Sequence, residues 1–411
     1  MTASAAEPAT PAAAAPEPQK APPRTATQRA SALRQYGILA ALVAIVVLFQ
    51  FLTGGRLLLP NNVASLLQQN AYVMILAIGM LMVIVAGHID LSVGSVVAFI
   101  GGVLAISMMH WNLPWPLAIL LALVVGALIG CWQGFWVAFM GVPAFIVTLA
   151  GMLLFRGLAI VIVGETIAGL PGGFIAISNR GALGWFGYVG MLDVFTLVIG
   201  LIAAAGLVVG QLRNRATLRR HGLQPEGAGV FWGRTVLITA LILFFTWTLA
   251  NSSIGTPFVL ILCATLILAY AFVMNRTVFG RHIYAIGGNV AAARLSGVNV
   301  RTTNFWIFVN MGVLAALASV VTTSRAGAGI AAAGVNFELD AIAACFIGGT
   351  AVTGGIGRVS GAIIGALIMG VLNMGLSILS VDPAWQQTIK GLVLLGAVAF
   401  DLVSKRRGAG A

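Results

Sequence analysis

Twelve apolar stretches divide nearly the whole chain, most of them near the roughly 20 residues that cross the hydrocarbon core of a bilayer. They lie near 37–53, 70–86, 92–109, 115–139, 144–163, 191–210, 235–251, 256–274, 304–324, 338–353, 360–379 and 385–403. Only 8% of the residues are charged and the mean hydropathy is +1.04. A soluble domain carries about 25% charged residues, so this chain cannot coat a water-facing surface. The expectation is an all-α, polytopic transmembrane helical bundle of about 10–12 spans. Several stretches are short or glycine-interrupted. One pair could therefore be a broken or re-entrant helix, which is tolerated only where protein or a cavity surrounds it.

The net charge of +12 could point to nucleic acid, but its distribution argues against that. The basic residues fall into four clusters: Arg24, Arg29 and Arg34; Arg213, Arg215, Arg219, Arg220 and Arg234; Arg276, Arg281, Arg294 and Arg301; and Lys405, Arg406 and Arg407. Each adjoins a span, and an even number of spans separates each cluster from the next. All four can then share the cytoplasmic side, as the positive-inside rule requires. That orientation places both termini in the cytoplasm. Residues 1–35, rich in Ala and Pro, read as a disordered cytoplasmic tail, and 36–405 as the membrane domain. Cys131, Cys263 and Cys345 are scattered in apolar segments without metal or redox spacing and read as packing residues.

The chain shows no energy source of its own. Lys stands only at Lys20, Lys390 and Lys405, and none closes a phosphate-binding glycine loop. The run GGTAVTGGIGRVSG (Gly348–Gly361) is glycine-rich, yet no strand precedes it, so a dinucleotide site is not expected. It reads as close helix packing or a helix break. No metal ligands cluster, and no nucleophile has a base beside it. The expectation is a protein without cofactor, metal or covalent chemistry, and not an enzyme.

The sequence also marks candidate contacts. Gly126, Gly130 and Gly134 share one helical face, as do Gly361 and Gly365, which lets helix backbones approach closely in lipid. Polar and charged groups within or beside spans are costly and mark functional positions. Those singled out for a solute pathway or a gate are Asp90, Gln133, Arg156, Asn310, Glu338, Asp340 and Asn373. For Gln133, Asn310 and Asn373, hydrogen bonding between helices is an equal alternative. Asp90, in GHIDLSVGS, has two readings: a cap for the helix that follows, or a buried partner of Arg156 or Arg358 in a gating contact. Glu338 and Asp340 form a second acidic spot, expected on the opposite side from Asp90. AFIGG at 98–102 and CFIGG at 345–349 lie on spans of opposite sense and hint at an inverted repeat.

One polar loop, RHIYAIGGNVAAARLSGVNV (Arg281–Val300), carries more than a connection. Asn289 can cap a short helix from Val290 to Ser296, and Gly297 can take the left-handed conformation that ends it. So short a helix is unstable alone in water, so it either packs on its own spans or docks into something else.

This loop resembles the coupling segment of permease subunits of bacterial ATP-binding-cassette importers, in the ribose/xylose/multiple-monosaccharide branch. The likeness continues in GHIDLSVGS (Gly87–Ser95), VPAFIVTLAGMLLFRG (Val142–Gly157), SRAGAG (Ser324–Gly329) and FELDAIAACFIGGTAVTGGIGRVSGAIIGA (Phe337–Ala366). FGR-x-IYAIGGN and the WQ-x-x-KG ending (Trp385–Gly391) are most similar to xylose-type permeases. The resemblance implies a type II importer-like permease that moves a monosaccharide, xylose or a similar sugar. Its expected partners are cytoplasmic ATPase subunits, a periplasmic sugar-binding protein, a second permease subunit and membrane lipid. It also implies that the loop at about 275–303 couples to the ATPase through Asn289, Val290, Arg294, Leu295 and Gly297. Three rivals stay open at this stage: a related permease for branched-chain amino acids or nucleosides, an ion-coupled carrier, and a channel or membrane scaffold.

Overall fold

In the computed structural model, residues 26–223 and 227–409 are described. The helices with the length and apolarity of spans are α2 (Pro60–Val85), α4 (Trp115–Ala138), α5 (Ala144–Val163), α7 (Val194–Arg220), α8 (Ala228–Ala250), α9 (Phe258–Arg276), α12 (Val300–Ala326) and α14 (Val359–Ile378). α1 (Ala26–Leu52) and α3 (Val93–Met109) contribute shorter apolar segments. α13 (Phe337–Ile347) and α15 (Pro383–Ala409) complete a set of twelve, one for each expected stretch. The expected tail, 1–35, lies outside the described residues as far as 25, and 26–35 belong to α1.

The longest unbroken apolar run becomes the centre of the bundle. α2 is apolar on every side from Ala71 to Val85, and a helix of that kind must be surrounded by protein or lipid. Here it is protein: all the residues from Met74 to Val85 are buried. α12, α14, α13 and α9 enclose it. α12 is the second buried helix, and it packs along α4. The glycine face of α4 makes that approach possible. A Cβ on Gly126 would strike the Gly312 carbonyl, and one on Gly130 would strike the backbone of Phe308 and Val309. Gly361 and Gly365 act likewise between α14 and α13, against Gly348 and Ala344. The buried Cys345 thiol lies 3.4 Å from the Ala77 carbonyl oxygen of α2.

Two runs of four helices, α2–α5 and α12–α15, share one pattern of packing. α2 packs on α14 as α12 packs on α4, and the two long buried helices pack on each other. The AFIGG and CFIGG likeness does not carry this relation. Gly101 and Gly102 meet Thr323 and Val163, whereas Gly348 meets Gly361, so the matching letters serve different contacts.

α13 is the broken helix that the short stretches foreshadowed. Its 11 residues rise only about 16 Å, too little to cross a bilayer. The expected stretch 338–353 is therefore helical only to Ile347. Non-helical backbone flanks it on both sides, and both flanks are packed against protein. On one side Gly334 abuts Gly94 at the start of α3; on the other, Gly355 N–H donates to the Val85 carbonyl at 2.8 Å.

The sequence reading missed the small cap between α5 and α7. It holds α6 (Gly172–Asn179) and two short ladders. β1 (Ile167–Ala168) pairs antiparallel with β4 (Ala328–Gly329), tying the end of α5 to that of α12; β2 (Tyr188–Val189) pairs with β3 (Leu192–Asp193). Asp193 caps α7, its carboxylate accepting from the Thr196 N–H at 2.9 Å.

Candidate coupling loop and polar interior

The loop between α9 and α12 folds into two short helices, α10 (Val278–Gly288) and α11 (Val290–Leu295). Asn289 Oδ1 accepts from Ala292 N–H at 3.0 Å, the expected cap. α11 ends one residue before the expected Ser296, which is its C-cap, and Gly297 follows at φ +83°. Ile286, Ala293 and Val300 pack beneath the turn. The opposite face stays free: Val290 and Arg294 are exposed, and Leu295 is 91% exposed. A leucine so bare on a one-turn helix has no packing role within the chain.

Beneath this loop, three glycine-bearing segments meet at backbone distance. Gly287 closes α10, Val85–Gly87 closes α2, and Gly354–Gly357 precedes α14. A Cβ on Gly287 would run into the Val85 carbonyl and the Gly355 nitrogen. Tyr284 Oη donates to the Gly357 carbonyl at 2.7 Å. The run first read as close packing or a helix break is thus both, and it joins the loop to the two helices at the bundle centre.

The other candidate residues separate into distinct contacts. Asp90 is buried in the connector between α2 and α3. Its Oδ1 accepts from Ser92 N–H at 2.8 Å and from Ser92 Oγ at 2.7 Å, and Gln133 Nε2 of α4 donates to Ser92 Oγ at 2.6 Å. The cap reading is therefore close, although the N-cap position itself belongs to Ser92. Burial pushes the Asp90 carboxyl up to about 6, against the Ser92 hydrogen bonds that pull it down. Arg156 is not its partner. That guanidinium donates to the Ala331 and Ala333 carbonyls at 3.0 and 2.8 Å, within electrostatic reach of Glu338.

The two acidic spots, expected on opposite sides, are brought together. Glu338 reaches the start of α3 and abuts Gly94, because the chain turns back along α3 from Gly329 to Gly334 before α13 begins. Asp340 points the other way. Tyr72 Oη of α2 donates to its Oδ2 at 2.8 Å, Lys390 of α15 lies 3.2 Å from Oδ1, and Phe337 stacks on Tyr72 at 3.7 Å between ring centroids. Asn310 bonds Tyr270, and its amide donates to Met82 Sδ at 3.4 Å. Asn373 is half-buried on α14, its Oδ1 without a hydrogen-bond partner. The sequence reading missed Tyr72, Tyr284 and Lys390. Scarcity was the available signal: only five tyrosines occur, and Lys390 is the sole lysine between Lys20 and Lys405.

The bundle thus combines two buried central helices, a broken helix and an exposed capped loop. The chain belongs to the family described as branched-chain amino acid transport system / permease component, whose model matches residues 62–398. The likeness to ATP-binding-cassette importer permeases read from the motifs is borne out. The chain is 42% identical to the xylose transport system permease protein XylH of Escherichia coli (strain K12) over 375 residues, covering 91% of this chain and 93% of that protein. To XylH of Haemophilus influenzae it is 39% identical, covering 91% and 98%. To the ribose import permease protein RbsC of Escherichia coli (strain K12) it is 33% identical, covering 90% and 94%. No solved structure matches the chain. It is a multi-pass inner-membrane transport subunit.

Proposed function

We propose that the chain is the permease subunit of an importer for xylose or a similar monosaccharide. Separate cytoplasmic ATPase subunits drive it, a periplasmic sugar-binding protein loads it, and a second permease subunit completes the pathway. Both termini and the α10–α11 loop face the cytoplasm, in keeping with the basic clusters near Arg219 and Arg294. The sugar is supported by the substrates named for the xylose and ribose relatives. One observation carries the coupling role: α11 is capped at both ends and exposes Leu295, while the base of the same loop is locked to α2 and to the segment before α14 through Gly287 and Tyr284. Movement imposed on the bare face of the loop is therefore passed to the central helices.

The membrane domain, 36–405, works as one body in this reading. Asp90, Gln133, Arg156, Asn310, Glu338, Asp340 and Asn373 stand near the pathway as positioning or gating groups. Vesicles holding this chain with its ATPase and binding protein test the proposal. ATP-dependent accumulation of xylose that requires all three supports it. Accumulation driven by an ion gradient without the ATPase would overturn it.

A further inference from the structure

The cap between α5 and α7 ends in a hairpin that is firmly held yet hides little of its surface. Ala182 N–H donates to the Thr256 carbonyl at 3.0 Å, Gly184 N–H to the buried Asp193 carboxylate at 2.8 Å, and Val194 N–H to the Gly187 carbonyl at 3.2 Å. β2 and β3 close it, with Gly190 at φ +63° in the turn. The Trp185 ring lies 5.2 Å from that of Phe195 on α7 and 5.5 Å from that of Phe258 on α9, between centroids. Despite these ties, every residue from Trp185 to Met191 is exposed, Met191 to 88%. Trp185, Phe186, Tyr188, Val189 and Met191 are large and apolar, and no charge lies between Arg180 and Asp193 in the sequence. Contiguous bare apolar surface of this kind marks a contact with a partner or a membrane.

The adjoining span sets the depth of this hairpin. α7 begins at Val194, directly after β3, and its first arginine is Arg213. From Val194 to Arg213 the helix rises about 28 Å, close to the roughly 30 Å of a hydrocarbon core. With the arginines at one surface, Val194 and the hairpin before it lie at the other. α7 and α8 are mostly exposed, through Val198, Leu201 and Ile202 on the first and Phe244 and Trp247 on the second. The lipid-facing surface of α7 therefore runs into the hairpin without meeting an exposed charge. Tryptophan and tyrosine at the edge of such a surface have the composition of an interfacial belt.

We propose that the β2–β3 hairpin is a membrane anchor seated in the lipid interface, with Val189 and Met191 entering the acyl chains and Trp185 and Tyr188 at headgroup level. Its partner is the lipid surface itself. By the orientation proposed above this is the periplasmic leaflet, and the interfacial depth holds in either orientation. Tyr188 has an apolar ring and a polar tip, which suits a boundary with one wet side. The turn backbone stays among the headgroups, where water reaches the polar groups that the short ladder leaves free. Because Gly184 and Trp185 tie the hairpin to α7 and α9, the anchor holds the cap at a fixed depth in the membrane.

Spin labels on single cysteines replacing Val189 or Met191 test this, in the full-length chain without Cys131, Cys263 and Cys345, held in phosphatidylcholine nanodiscs. A label replacing the exposed Asp382 serves as the water reference. Collisions with oxygen, which partitions into lipid, are expected to exceed those with a water-soluble nickel chelate several-fold at 189 and 191, and to fall below them at 382. Chelate collisions at 189 and 191 that match those at 382 would place the hairpin in water and overturn the proposal. Rare collisions with both reagents would show that protein covers it, and overturn it as well. A second measurement keeps all three native cysteines. The tryptophan emission lost on Trp185→Phe should be quenched by phosphatidylcholine brominated near the top of its acyl chains; emission from Trp185 that bromine leaves untouched overturns the anchor. Neither readout involves transport, so both stand apart from the proposed importer function.

Discussion

Lys390 Nζ lies 3.2 Å from Asp340 Oδ1 and 3.5 Å from Oδ2, binding α15 to the first turn of the broken helix α13. Tyr72 completes the contact from α2. Desolvating an ion pair gains little in itself, but removing one partner strands the other and costs about 3–5 kcal/mol when burial is full. Asp340 is buried and Lys390 only partly so, which places the cost toward the lower end. Lys390→Met and Asp340→Asn should each lower the thermal midpoint in detergent, and the pair combined should cost clearly less than their sum. Additive losses would mean that the two residues act independently.

The glycine contact beneath the loop gives a contrast between neighbours. A Cβ on Gly287 meets the Val85 carbonyl, whereas one on Gly288 meets nothing within 4 Å. Gly287→Ala should destabilise by about 1–3 kcal/mol, as overpacking does, and reduce transport. Gly288→Ala should leave both unchanged. Thermal melting and uptake, measured side by side, decide it; equal behaviour of the two variants would remove the contact from the account.

Much of this was legible from residue type alone. The twelve stretches, the capped α11 and the glycine face of α4 each rest on local chemistry, and each has its counterpart in the structure, although the stretch 338–353 is helical only to Ile347. Asp90 and Glu338 were harder. Their proximity depends on the chain turning back after α12, a tertiary feature with no local signature. The pairing of Lys390 with Asp340 likewise spans 50 residues. A lone lysine can mark an unusual position, but it cannot name its partner.

Asp90 should respond to pH. Its folded carboxyl sits at about 6, above the ordinary 3.8, so the folded state holds the proton more tightly than the unfolded chain does. The contribution of this group is therefore greatest at low pH and declines as pH rises from about 4 to about 6. Asp90→Asn keeps an oxygen for the Ser92 donors but cannot ionise. Its melting temperature should gain on that of the wild type over this window, and Asp90→Leu should lose the turn at every pH. A constant difference between wild type and Asp90→Asn would show that burial does not govern the group.

Orientation follows from the basic clusters. Single cysteines replacing Arg219 and Arg294, in a background without Cys131, Cys263 and Cys345, should react with an impermeant maleimide only from the cytoplasm. One replacing Asp382 should react only from the periplasm. Labelling of the Arg219 position from outside would invert the topology.

The most direct test of coupling lies at Leu295, because its side chain is bare and its loss should cost the fold little. Leu295→Glu places a charge on the face proposed to dock the ATPase, and Arg294→Glu reverses the charge beside it. Binding-protein-stimulated ATP hydrolysis by the reconstituted complex is the measurement. Both variants should reach the membrane and melt as the wild type does, yet lose most of the stimulation. Full stimulation by both would contradict the assignment of this loop as the contact between ATPase and permease.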